Sequence, residues 1–242
     1  MKKNYILISE VDGFNFSDLS KDKNAIHIDN KIGYNSIYGN KIVHGVLVLM
    51  KIFEKIKFPN IFFSIEIIFK SNFNYDIPIK IFKFKKNKNV QNYKLIQEKN
   101  VKALFSIFTK KKDQIYFNEE ERLNFKKKTY NVNNNIKFKN IYTPINFNTA
   151  LSYLSRYVGT IYPGKHSLIN KIIIEKTISH KYKNIVIKSS KKDPRFSRIY
   201  NRLYFADYKI LFETFIRPTL KIKLKKPSYN FLKKIKSINR NI

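Results

Sequence analysis

Twice along this chain a segment with helical periodicity is followed by four segments with strand character, and that repeat constrains the fold more than any other feature. In the first copy, apolar residues recur at helix spacing over Val43–Ile56, and Lys57-Phe58-Pro59 closes the segment. Alternating, β-branched and aromatic stretches follow at 60–70, 77–85, 92–99 and 101–110, with hairpin-length gaps. The second copy has a helical segment at 147–163, with Asn148 as its candidate cap and Gly159 and Pro163 near its end. Strand-like stretches then run at 168–177, 182–190, 198–207 and 208–218. One helix and four antiparallel strands bury each other best when the sheet wraps the helix. The expectation is an α+β chain with two antiparallel sheets, each wrapped around a central helix and paired edge to edge, since open strand edges must be covered. The boundaries read as 1–112 for the first unit, 113–146 for a polar connector, 147–220 for the second unit and 221–242 for a basic tail.

The composition narrows the chemistry. With 242 residues, 43% of them hydrophobic, the chain can bury a sizeable core. It has no cysteine, so disulfides, thiolate metal sites and cysteine nucleophiles are excluded. Its four histidines, His27, His44, His166 and His180, show no HxH or HxxxH spacing, so no metal centre is expected. No apolar run reaches the length of a membrane span, and the N-terminal apolar stretch is too short for a secretory signal, so a cytoplasmic location is expected.

The net charge of +32 is unevenly spread. Residues 1–50 carry 6 lysines against 5 acids, whereas residues 151–242 carry 22 basic residues against 4 acids, a net +18. Such a field attracts polyanions, although lysine richness throughout the chain also fits a general compositional bias.

The candidate chemistry lies between Phe14 and Gly45. Asp22 and His27 stand five residues apart on a short irregular stretch, and His44-Gly45 opens the first central helix. A carboxylate and an imidazole on one loop can share a water, the carboxylate accepting a proton while the imidazole orients or donates one. The first N–H groups of the following helix lack intrahelical partners and can hold a developing oxyanion. Gly45 lets a ligand approach that backbone closely. Asp29 reads as a turn or cap residue, and His44 as a packed or backbone-bonded histidine.

This stretch resembles the MaoC-like family of (R)-specific enoyl-thioester hydratases and dehydratases, whose signature runs D-x-N-P-[LI]-H-x-D and then G-x-[IV]-[AV]-H-G. Here the first part reads Asp22-Lys23-Asn24-Ala25-Ile26-His27-Ile28-Asp29, and the second Gly39-Asn40-Lys41-Ile42-Val43-His44-Gly45. Ala25 replaces the usual proline and Lys21 the glycine that often precedes the acid. A later element resembling F-[LK]-x-P-[VI]-x-P-G-D has become Phe69–Asp76 without its proline–glycine turn.

The resemblance implies a double hot-dog fold with a degenerate second unit. It gives Asp22 and His27 the catalytic roles, the Gly45 amide the thioester carbonyl, and Asn24 and His44 supporting positions. It implies no cofactor beyond the coenzyme A or phosphopantetheine that is part of the substrate, and an acyl thioester, free or on an acidic carrier protein, as the partner. A monomer or a homodimer fits equally.

In the second unit His166 follows Pro163-Gly164, a turn from which it could contact substrate, although a surface turn residue is the simpler reading; Asp193-Pro194-Arg195 reads as a turn. The alternative is a non-catalytic basic protein that holds nucleic acid or another polyanion through interleaved lysines and aromatics. Hydrolysis of the thioester would ask for an acid on the central helix, where Glu54 stands near the end.

Overall fold

The computed structural model describes residues 4–110, 126–132, 143–177, 182–190, 193 and 197–216. Its strands are β1 (Tyr5–Ile6), β2 (Ser64–Phe69), β3 (Ile79–Asn87), β4 (Val90–Gln97), β5 (Asn100–Phe108), β6 (Lys126–Tyr130), β7 (Ser167–Lys176), β8 (Tyr182–Ser189), β9 (Arg198–Ala206) and β10 (Tyr208–Ile216). The helices are α1 (Glu10–Ser20), α2 (Ala25–Ile28), α3 (Asn30–Tyr34), α4 (Gly45–Ile52) and α5 (Ile145–Arg156), the last continued by a π-helical turn at Tyr157–Ile161.

All ten strands form one sheet, in the order β1-β3-β4-β5-β2-β7-β10-β9-β8-β6, and every pairing is antiparallel. The expectation of two sheets, each around its own helix, is therefore corrected to a single sheet. The reason lies at the seam. β2 and β7 carry β-branched residues at successive positions and pair with Ile65 opposite Ile174 and Ile67 opposite Ile172. All four side chains are fully buried. Two strands of that composition cannot be left as edges, and each caps the other's open hydrogen-bonding groups. The hydrophobic core is likewise one cluster that runs through both halves.

Read inward from its two ends, the sheet repeats itself. β1, β3, β4, β5 and β2 in the first half correspond to β6, β8, β9, β10 and β7 in the second, with α4 and α5 in equivalent places between the first and second strands of each set. β6 lies inside the stretch read from sequence as connector. Its sequence KKKTY has no apolar alternation, and it forms an edge strand against β8, a position where lysines discourage further pairing. The rest of the connector apart from 131–132 and 143–146, the tail from 217 onward, His180, and Pro194–Phe196 lie outside the described residues.

α4 is shorter than its sequence signal, ending at Ile52, and Val46–Met50 and Ile52 are all buried. A helix apolar on every side has to be enclosed. Here it is enclosed by the sheet and by α5, with Phe53 at the C-cap of α4 meeting Phe147 of α5 edge-on at 5.9 Å. Because the halves share one sheet, the end of α5 comes up against the segment that precedes α4. That crossing builds the site described next.

Candidate active site

α1 starts with a reciprocal cap. The Asp12 N–H donates to Ser9 Oγ at 3.1 Å, while the Ser9 N–H donates to Asp12 Oδ2 at 2.9 Å. The helix ends at Lys21, which takes a left-handed conformation (φ 61°) and turns the chain inward. Asp22 is thereby buried. The Ser17 hydroxyl donates to its carbonyl at 2.5 Å, and its own N–H donates to Ser20 Oγ at 3.2 Å.

The Asp22 carboxylate has two anchors, one from each half of the chain. Oδ1 accepts from the Asn24 N–H at 3.1 Å, and Oδ2 accepts from the Ser155 hydroxyl at 2.7 Å. The loop around it is stitched to the second half as well. The Lys23 N–H donates to Thr160 Oγ1 at 3.0 Å, and the Asn24 amide donates to the Ser167 carbonyl at 3.2 Å. Gly159, in the π-helical turn, lies directly against the carboxylate; a Cβ there would stand 2.0 Å from Asp22 Oδ1.

His27 follows on the single turn of α2. Its Nδ1 is 2.8 Å from the Ile42 carbonyl oxygen, which can only accept, so Nδ1 carries the hydrogen and Nε2 keeps the lone pair. His44 is the N-cap residue of α4 and is almost fully buried. Its ring stacks on His27 at 4.0 Å and contacts Phe16 at 5.0 Å. Its Nδ1 is 3.4 Å from the Tyr75 hydroxyl, and its Nε2 points toward Asp22 Oδ2 at 3.9 Å. The packed-histidine reading describes its ring but not this nitrogen, which is buried without a hydrogen-bond partner among the described residues.

Burial pushes the Asp22 carboxyl above the usual carboxylate range, and His27, the Ser155 hydroxyl and the Asn24 N–H pull it part of the way back. Burial also lowers His27, partly offset by Asp22 and by the Ile42 carbonyl. His44 falls well below the usual histidine range through burial and then through the neighbouring His27. At neutral pH both rings are neutral.

These groups line a cavity of about 210 Å³ together with Gly45, Phe69, Lys70, Phe73, Leu168, Ile169 and Phe215. One end is polar (Asp22, Asn24, His27, Ser155) and the remaining wall is mostly aromatic and aliphatic. Gly45 is the first residue of α4, and Phe69 is packed so close that a Cβ on Gly45 would come within 3.1 Å of the ring. Phe69–Phe73, the eroded third element of the sequence signature, forms part of this wall.

Asp22, Asn24, His27, His44 and Gly45 are thus brought together. His166 is not among the cavity residues; it occupies a left-handed turn position (φ 63°) immediately before Ser167, which is. Asp29 caps α3 by accepting from the Ile32 N–H at 2.9 Å. Glu54 is ion-paired with Lys51 at 2.8 Å and does not line the cavity. Ser155 and Thr160 are not among the residues singled out in the sequence, and Gly159, read there as a helix-end residue, instead lies against the Asp22 carboxylate. The signal available was two small residues, Ser155 and Gly159, four apart on a helical segment, which marks a face that something approaches closely.

One consequence is measurable. Ser155→Ala removes a hydrogen bond that favours the charged carboxylate, so the Asp22 carboxyl should move further upward. The acid limb of any reaction that needs it ionised should shift to higher pH, with an activity loss on the order of tenfold at neutral pH, the usual scale for one hydrogen bond to a charged group. A pH–rate profile of the variant checks this.

No family model and no curated protein matches the chain. Among solved structures it is similar to the tesB protein of Mycobacterium avium subs paratuberculosis, at 7% identity and a TM-score of 0.43 over 74% of this chain and 88% of that one. Similarity to the acyl-CoA thioesterase II TesB2 of Mycobacterium marinum is at 8% identity, with a TM-score of 0.42 over 72% and 88%. The (R)-hydratase from A. caviae involved in PHA biosynthesis is 16% identical, with a TM-score of 0.33 over 43% of this chain and 87% of that one.

Proposed function

We propose that the chain adds water to, or removes it from, an enoyl thioester. The observation that carries this reading is the burial of an ionisable carboxylate and a lone-pair imidazole nitrogen in one small cavity beside the first residue of α4. Water held between Asp22 and His27 gives its proton to Asp22 as its oxygen bonds to C3. The thioester carbonyl, held at the Gly45 N–H and by the positive end of α4, takes up the electron pair as an enolate, and C2 then collects the proton that Asp22 took from the water, which returns the carboxylate to its ionised form. Dehydration is the reverse. The neutral state of His27 suits it to accept a hydrogen bond from water, and the raised pKa of Asp22 makes the carboxylate a stronger base than a solvated one. Ser155 and Asn24 hold that carboxylate, and Phe69, Phe73, Leu168, Ile169 and Phe215 offer apolar surface for an acyl chain.

The thioester carrier is anionic in either form, since coenzyme A bears phosphates and carrier proteins bear acidic surfaces. The excess of basic residues over 151–242 and Lys70 at the cavity wall suit such a ligand. Among the described residues, no helix is long and apolar enough to cross a membrane.

Incubation with crotonyl-coenzyme A, following enoyl absorbance and free thiol together, is the direct test. Enoyl loss without thiol release is the expected result. Thiol release with the double bond intact would reassign the site to hydrolysis, and no change in either signal, with longer enoyl thioesters included, would sink the reading.

A further inference from the structure

We propose that Asp22, His27 and His44 form a binding site for a first-row divalent transition ion. One donor atom from each residue lies within 4.8 Å of the other two, and all three residues are buried. The donors are 5 and 17 residues apart, in no helical or strand spacing that would announce a shared site. They meet only because α1 ends in the left-handed Lys21 and His44 caps α4.

Each donor is held as a metal ligand needs to be held. A ligating imidazole typically gives its other ring nitrogen to a carbonyl or an oxygen partner, which fixes the tautomer and aims the lone pair. His27 does this through Nδ1 to the Ile42 carbonyl at 2.8 Å; His44 Nδ1 faces the Tyr75 hydroxyl at 3.4 Å, a partner that can accept its hydrogen when Nε2 is the ligating atom. The Asp22 carboxylate is oriented by Ser155 at 2.7 Å and by the Asn24 N–H at 3.1 Å.

The independent observation is His44 Nε2. It is buried, it has no hydrogen-bond partner among the described residues, and it faces Asp22 Oδ2 at 3.9 Å. A buried polar atom in that state calls for an ion or a water. Tetrahedral ligands at about 2.0–2.1 Å from zinc lie roughly 3.3 Å apart, so binding would draw this pair together by about 0.6 Å, and donors spread over as much as 4.8 Å by up to about 1.5 Å. Two neutral imidazoles and one carboxylate suit zinc, cobalt or iron(II), with the remaining positions open toward the cavity.

The ion would use the lone pairs that the proposed reaction assigns to Asp22 and His27, so the loaded chain should not hydrate enoyl thioesters. That clause rests on the proposed function; the binding itself does not. The test uses the full chain after treatment with a chelator. Zinc is titrated by calorimetry and cobalt(II) by visible absorbance, both without substrate. The expected results are one ion per chain and the intense visible bands of four- or five-coordinate cobalt. Asp22→Asn, which preserves shape, and His44→Phe, which preserves ring packing, should each weaken binding by at least about tenfold while thermal unfolding confirms the fold. No binding heat and no cobalt band, or equal affinity in Asp22→Asn, would overturn the site. Inactivity toward crotonyl-coenzyme A would remove the proposed reaction but leave these readouts standing.

Discussion

Asp22→Asn should lower kcat/KM for enoyl-thioester hydration by about 10²–10⁴-fold, the range typical of a positioned acid–base group, and His27→Ala should do the same. The asparagine keeps the size of the side chain and an oxygen able to accept from Ser155 or from the Asn24 N–H. It also removes a buried charge, so folding stability should hold. A variant that unfolds at the wild-type temperature yet turns over at the wild-type rate would show that the carboxylate takes no part in the reaction. The direction of pH dependence follows from the same burial. Asp22 works as a base only when ionised and its carboxyl is raised, so activity should fall on acidification at a higher pH than for an ordinary carboxylate. Protonation of His27 is displaced downward by burial, so its acid limb should lie below that of an ordinary histidine.

Gly159→Ala should be nearly as damaging, although glycine to alanine adds a single methyl group. That methyl would stand 2.0 Å from Asp22 Oδ1 and 2.7 Å from Asp22 Cγ, distances that force either the π-helical turn or the carboxylate to move. Overpacking of this kind costs typically about 1–3 kcal/mol of stability. A reacting group displaced by about 1 Å can lose on the order of 10²-fold in rate. The expected outcome is a folded protein with a modestly lowered unfolding midpoint and a large loss in kcat, measured by calorimetry and by steady-state kinetics. Wild-type kcat in this variant would mean that Asp22 does not need its present position.

Strand existence was readable from the sequence because β-branched and aromatic residues recur with period two, and the helix-then-four-strands repeat is real. Sheet count was not readable. Pairing of β2 with β7 is a contact between residues about a hundred apart; the β-branched runs of both strands ask for burial, but no local pattern names the partner strand. The Lys126–Tyr130 strand was missed for the opposite reason: an edge rich in lysine looks like a linker. The five-residue spacing of Asp22 and His27, with Gly45 opening a helix, was enough to find the first-half side of the cavity. Ser155, Gly159 and Thr160 were out of reach because their roles depend on a π-helical turn and on the packing of one half against the other. The bonding state of His44 was equally hidden, since the identity of its neighbours depends on where Tyr75 and Asp22 end up in space.

The crossing of α5 over the Asp22 loop has a consequence for how such a chain can change over generations. After an internal duplication, a copy that no longer carries the acid and imidazole would ordinarily be free to drift. Here the second copy holds the first copy's carboxylate with a hydroxyl and leaves room for it with a glycine, so any pressure to keep that carboxylate in place reaches residues of both copies. One copy bears the acid and the imidazoles, and the other bears the surface against which the acid is held.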